Sequence, residues 1–210
     1  MLQALSSSIL FAPRFAPLVP EAVLSSGMTL AAIVMLGMLA ALIFTAWVML
    51  RAFQGNVLPF SPAWINLSIL ILAVAGLGVA LYMTFVEMTS IPAICGPIGD
   101  CNTVQQSPYA RLFGIIPIGL LGILGYLAIL TAWVLKKRRS SRLADYAPLA
   151  IFGMGLFGTL FSVYLTYLEI FVIKAVCLWC LTSAVIMTLL MLTSLPAAAQ
   201  WLAVAEEEDG

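Results

Sequence analysis

Five stretches of this chain are long and apolar enough to cross a bilayer, and none contains a charge: Met28–Leu50, Trp64–Val86, Ile115–Leu135, Tyr146–Leu168 and Ala175–Leu195. A helix needs about 20 apolar residues to span the hydrocarbon core. In lipid, backbone N–H and C=O groups must find partners within the protein, so stretches of this length span as helices. The expected fold is therefore an all-α integral membrane protein. Composition supports this: of 210 residues, 63% are hydrophobic and 9% charged, against about 45–50% and about 25% in soluble proteins. That excludes a soluble enzyme with a polar shell. Nine basic and nine acidic residues cancel, which leaves no basic surface for nucleic acid and no acidic disordered character. The chain has no His. Protease triads, His-ligated haem, His-bound zinc and His proton relays are thereby excluded. Chemistry must come from four Cys, from Ser, Tyr or a few acids, or from a bound cofactor.

Residues 1–27 carry Pro13, Pro17 and Pro20 and only a short apolar patch, Ile9–Ala12. They lack a positive n-region, and the run that follows is too long for an h-region. They are read as a short interfacial leader rather than a cleaved signal peptide. Orientation follows the basic loops. Lys136, Lys137, Arg138, Arg139 and Arg142 share the loop between the third and fourth stretches, which is expected to be cytoplasmic. Arg51 then lies inside as well, and Arg14, Arg111 and Lys174 lie outside. The acidic segment 196–210 is expected to form a cytoplasmic tail. Cys95, Cys101, Cys177 and Cys180 all fall on the outer side, the oxidising face of a bacterial envelope.

The chain repeats at an offset of 82 residues. Tyr82-Met83-Thr84-Phe85-Val86-Glu87 is followed, eight positions after the Glu, by Cys95. Tyr164-Leu165-Thr166-Tyr167-Leu168-Glu169 is followed, eight positions after the Glu, by Cys177. Both copies run the same way, a parallel repeat. The reading is a four-helix transmembrane bundle of two hairpins over 64–195, plus one extra N-terminal transmembrane helix, 28–50, at its periphery.

Cys177-Leu178-Trp179-Cys180 is a C-x-x-C at a helix start, and positions i and i+3 share a face. The helix N-terminus and nearby Lys174 favour a thiolate at Cys177. Cys180 lies one turn deeper, within reach of a membrane-soluble oxidant. Trp179 reads as an interface anchor. A structural disulfide, or two small buried residues, would give the same pattern. Cys95-Gly96-Pro97-Ile98-Gly99-Asp100-Cys101 is a second pair in a turn-forming segment, suited to a disulfide that opens toward different partners. A four-Cys zinc site is the alternative, but zinc favours tight knuckles in both halves, and no metal is expected. Ser107 before Pro108 reads as the N-cap of a short interfacial helix, Pro108–Phe113, ended by Gly114. Its other reading is a hydroxyl near the sulfurs.

The pattern Cys95-x5-Cys101-Asn-x-Val-x-x-Ser107-x-Tyr109, then Phe113-Gly114-Ile-Ile-Pro117, then Cys177-x-x-Cys180, resembles the bacterial vitamin K epoxide reductase family over about residues 64–195. The Tyr164-Leu-Thr-Tyr167 helix end is similar too. Another family of quinone-linked thiol oxidases has a similar bundle but carries its C-x-x-C in the first outer loop. The resemblance implies a membrane thiol oxidase that reoxidises a periplasmic thioredoxin-fold oxidoreductase and supports disulfide bond formation. It implies that Cys95 is the partner-facing thiol, Cys101 the shuttle, Cys177 the receiver and Cys180 the thiol beside a quinone (ubiquinone or menaquinone). It raises Ser107 to an active-site hydroxyl. Phe113, Tyr164 and Tyr167 are candidate quinone contacts at that depth. Many bacterial members carry a fused thioredoxin-like domain, and here the partner is expected to be a separate protein. Vertebrate members carry Thr-Tyr after the C-x-x-C, whereas this chain has Thr182-Ser183-Ala184, which weakens the case for vitamin K epoxide reduction and for high coumarin sensitivity. Two other readings are a conduit carrying electrons outward, which lacks the cytoplasmic or mid-membrane Cys it needs, and a non-catalytic membrane protein with two structural disulfides.

Overall fold

The computed structural model describes residues 21–54, 63–89, 91–96, 99–112, 114–138 and 144–209. Six helices dominate: α1 (Glu21–Ala52), α2 (Ala63–Thr89), the short α3 (Cys101–Gln106), α4 (Ile118–Arg138), α5 (Ala147–Tyr167) and α6 (Leu178–Asp209). All but α3 are long and apolar enough to cross a membrane. The protein is an all-α multi-pass membrane protein. Helix α4 packs on α2 and on α5, and α6 packs on α5, α2 and α1. The sequence hairpins are thus the structural ones, α2 with α4 and α5 with α6. Half of the apolar window of α6 is enclosed (50%), against 11% for α1, which leans on the outside of α6 and α5.

Lipid is as apolar as leucine, so burial of apolar surface does not drive these helices together; close packing and interhelical hydrogen bonds do. At Gly76, an added Cβ would run into the Tyr126 ring. The missing side chain lets that fully buried tyrosine lie flat against α2. The Tyr126 hydroxyl reaches the Ser183 hydroxyl on α6 at 2.9 Å, tying three helices together. At the other end of the bundle, Trp133 Nε1 donates to the Asn66 carbonyl at 2.9 Å and Lys136 Nζ donates to Asn66 Oδ1 at 3.1 Å. Each such bond contributes about 0.6 kcal/mol in a bilayer.

Four segments depart from expectation. Helix α1 begins at Glu21, inside the expected leader. Helix α6 continues through Pro196 to Asp209 where a tail was expected. Proline removes one backbone donor, yet Leu195, Ala198 and Ala199 are buried. Leu195 and Ala198 pack with Phe152 and the α1 residues Leu42 and Met49, so tertiary packing carries the helix past the proline. The expected helix Pro108–Phe113 is absent. In its place are a 3-10 turn, Pro108–Ala110, and a two-stranded antiparallel hairpin, β1 (Arg111–Leu112) and β2 (Ile116–Pro117). Gly114 adopts φ +73° in the hairpin turn, a conformation that favours glycine. The helix of this loop is instead α3, which was not anticipated. Asp100 caps it: Thr103 N–H donates to Asp100 Oδ1 at 3.2 Å, and Thr103 Oγ1 donates to Asp100 Oδ2 at 2.6 Å. The π-helical turn Leu168–Ile173 after α5 is the fourth departure.

Candidate active site

The last turn of α5 widens into the π-helical turn and stops at Lys174, whose φ of 58° is left-handed. That reversal carries the chain to Cys177, one residue before α6 begins. Cys177 is the N-cap of α6: its carbonyl accepts the Leu181 N–H at 3.0 Å, and its Sγ accepts the Cys180 N–H at 3.3 Å. A serine oxygen would fill the same role at an ordinary helix start. Lys174, expected beside the thiol, is exposed. The group placed against Cys177 is the carboxyl of Glu169, whose Oε2 accepts the Cys177 N–H at 3.2 Å. The Glu169 carboxyl also interacts with the Cys180 thiol.

Cys95 and Cys101 form a disulfide, while Cys177 and Cys180 are free thiols. The disulfide loop is fastened to the heads of α2 and α6. Asp100 N–H donates to the Val176 carbonyl at 2.9 Å, and Ala93 N–H donates to Asn102 Oδ1 at 2.7 Å. Ile94 lies between two aromatics: its N–H donates to Tyr82 Oη at 3.0 Å, and its carbonyl accepts Trp179 Nε1–H at 2.9 Å. The Tyr82 and Trp179 rings pack at 4.6 Å. Cys101 and Cys177 are both completely buried, in one apolar cluster with Val104 and Ala175. Cys95 and Cys180 are half-buried at its edges. The four sulfurs thus run from a partly open Cys95, through two sealed thiol positions, to Cys180.

Cys180 lines a cavity of about 370 Å³ between α2, α4, α5 and α6. Its walls are mainly apolar, with Val79, Met83, Leu121, Phe157 and Met187 among them. Its polar lining includes Glu87, Glu169, Ser107, Gln105 and Ser183. An apolar cavity with a few convergent polar groups is the usual form of a small-molecule site.

Of the candidate residues read from the sequence, Cys180 and Ser107 line this cavity. Ser107 does not cap the turn after it; its Oγ donates back to the Val104 carbonyl at 2.6 Å and closes α3. The residue before a proline is pushed to extended backbone, and Ser107 has ψ 152°, so it ends one helix rather than starting another. Tyr164 and Tyr167 face outward, 53% and 49% exposed, and neither lines the cavity. Tyr167 packs on Phe171 and Tyr164 on Phe161, along the outer face of the helix. Phe113 lies outside the described residues. Sequence reasoning missed Glu87 and Glu169 as site residues, although both stand in the repeat. It also missed the part of Trp179 in holding the Cys95 loop.

With this geometry described, the comparison with known families is specific. The family model described as the vitamin K epoxide reductase family matches residues 67–195, more than half of the chain, so the chain belongs to that family. Its members are membrane oxidoreductases that work in disulfide and quinone chemistry.

Proposed function

We propose that this member of the vitamin K epoxide reductase family is a quinone-dependent thiol oxidase. It reoxidises a separate periplasmic thioredoxin-fold oxidoreductase and so supports disulfide bond formation. One observation carries the reading: a closed Cys95–Cys101 disulfide is docked on the N-cap of α6, where Cys177 is sealed beside Cys101 and Cys180 opens on an apolar cavity.

The residues present suit a quinone. The cavity offers about 370 Å³ with apolar walls, and the Glu87 Oε2 oxygen is buried there without a hydrogen-bond partner among the described residues. Ser107, Gln105, Ser183 and the two carboxyls are the polar groups that would face the ring carbonyls. A bound quinone supplies a two-electron, two-proton acceptor. The chain supplies the path. A thiolate of the reduced partner attacks the Cys95 sulfur, breaks the Cys95–Cys101 bond and leaves Cys101 reduced; the partner's second thiolate then attacks its own sulfur in the mixed disulfide, which forms the partner disulfide and frees Cys95. Each further exchange is thiolate attack on a disulfide. Cys101 attacks the Cys177 sulfur of a Cys177–Cys180 disulfide and expels Cys180. Cys95 then resolves the Cys101–Cys177 bond, which returns the loop disulfide and leaves Cys177 and Cys180 as dithiol. The Cys180 N–H aimed at Cys177 Sγ is a donor for the charge that leaves on that sulfur.

Orientation belongs to the same reading. The basic end of the bundle, with Lys136 and Lys137, faces the cytoplasm, and the four cysteines face the periplasm, in the inner membrane of a bacterial cell. The test in cells is Cys180→Ala. The partner is expected to accumulate in its reduced form; a partner that stays oxidised through the variant protein overturns the electron route.

A further inference from the structure

Oxidising the Cys177/Cys180 pair breaks two S–H bonds and forms one S–S bond. An electron pair passes to the quinone, and two protons must end on its two oxygens. The chain has no His to move them. Among the residues lining the cavity, two carboxyls stand out. Glu169 is 3% exposed, holds the Cys177 N–H and interacts with the Cys180 thiol. Glu87 lies on another wall, at the end of α2, with Oε2 buried and unpartnered among the described residues. The two are the same position in the two repeats, 82 residues apart. Each precedes its cysteine by eight residues, so the repeat brings one carboxyl from each half to a single cavity.

From this geometry we propose that Glu169 and Glu87 are the proton-transfer groups of quinone reduction, one for each ring oxygen. This rests on the quinone-oxidase reading above. Glu169 takes the proton of the Cys180 thiol as the Cys177–Cys180 bond forms and passes it to the nearer oxygen. The Cys177 proton leaves toward the outer aqueous side. Glu87 gives a proton to the farther oxygen and regains one from that same side. Protons then balance: two leave sulfur, two reach the quinone, and one is exchanged with water. The groups around each carboxyl fit these tasks. Glu169 faces the Cys177 N–H and the Cys180 thiol of the α6 head. Glu87 faces the Gly119 backbone of α4 and feels the charge of Arg111 in β1. Arg111 is exposed.

The test uses full-length protein in nanodiscs, a short-chain ubiquinone, and Glu169→Gln and Glu87→Gln variants. Two half-reactions are timed separately: oxidation of the Cys177/Cys180 dithiol by quinone, and exchange between the Cys95–Cys101 disulfide and a reduced thioredoxin-fold protein. General acid–base catalysis contributes about 10²–10⁴-fold, so each Gln variant is expected to slow the quinone step by roughly 10²-fold. The exchange step is expected to suffer far less, and Glu169→Asp to restore part of the rate. An independent readout is the infrared difference spectrum on quinone reduction, where a carboxyl C=O band should vanish in the matching Gln variant. If Glu169→Gln slows both half-reactions alike, with the infrared bands unchanged, the carboxyl only holds the Cys177 turn and the proposal fails. Wild-type protein that exchanges thiols but reduces no quinone overturns the parent reading as well.

Discussion

Cys177 combines two roles at one atom: its sulfur accepts the N–H that starts α6, and it faces the buried Cys101 of the loop disulfide. Both sulfurs are sealed from solvent, so the proposed exchange between them would be protected from outside thiols. Without Cys180 the membrane pair cannot be oxidised, and a Cys101–Cys177 bond then forms by attack of the Cys177 thiolate on Cys101 of the loop disulfide, which leaves Cys95 as the free thiol. Cys180→Ala is therefore expected to accumulate a Cys101–Cys177 disulfide, visible as a linked peptide by mass spectrometry after thiol blocking. If Cys95–Cys177 is the linkage found instead, the order of the relay is wrong. The four cysteines were legible from spacing because thiols are few and each pair has its own turn chemistry. Tyr164 and Tyr167 were not placed correctly, since periodicity in a uniformly apolar helix does not say which face meets lipid. Glu87 and Glu169 were visible in the repeat, but an acid at a helix end looks the same in sequence whether it is solvated or turned inward.

Among the elements, the Cys95–Cys101 loop is the one whose structure the sequence least disclosed. Its helix is set by Asp100, an N-cap three residues before the Thr103 it binds, and a six-residue helix leaves almost no periodic trace. Loss of an N-cap costs about 1 kcal/mol. Asp100→Ala is expected to loosen α3 by about that amount and to expose Cys101. Faster backbone hydrogen exchange over 101–106 and faster reduction of the disulfide by a small dithiol would show it; unchanged exchange would mean the Asp100 N–H bond to Val176 suffices alone. The long helices were legible because about 20 apolar residues leave no other option in a bilayer. Their ends were not, because the packing of Leu195 and Ala198 that carries α6 past Pro196 is tertiary. Close contact is also tertiary. Gly76→Leu would drive a side chain into the space of the Tyr126 ring, and overpacking costs about 1–3 kcal/mol. A lower unfolding temperature in detergent is expected, while a value matching wild type would show that Tyr126 moves freely.

For the whole molecule, the architecture separates two ends. One holds Trp133, Asn66, Lys136 and the ring pair Tyr146–Trp201. The other holds the disulfide loop, the α6 N-cap and the two repeat carboxyls. The basic loop predicts which end is cytoplasmic. A reporter fused after Arg142 should behave as cytoplasmic, and one in the Cys95–Cys101 loop as external; the reverse pattern would put the thiols in a reducing compartment and remove the basis for an oxidase. The central claim, that electrons cross from the loop disulfide through the α6 pair to a quinone, is tested most directly by stoichiometry. Purified protein is mixed with a reduced thioredoxin-fold partner and ubiquinone or menaquinone, and quinol and partner disulfide are counted together. The account predicts one quinol for each partner disulfide formed, with none from Cys180→Ala. Partner oxidation without quinol, or quinol formed undiminished by Cys180→Ala, would contradict it.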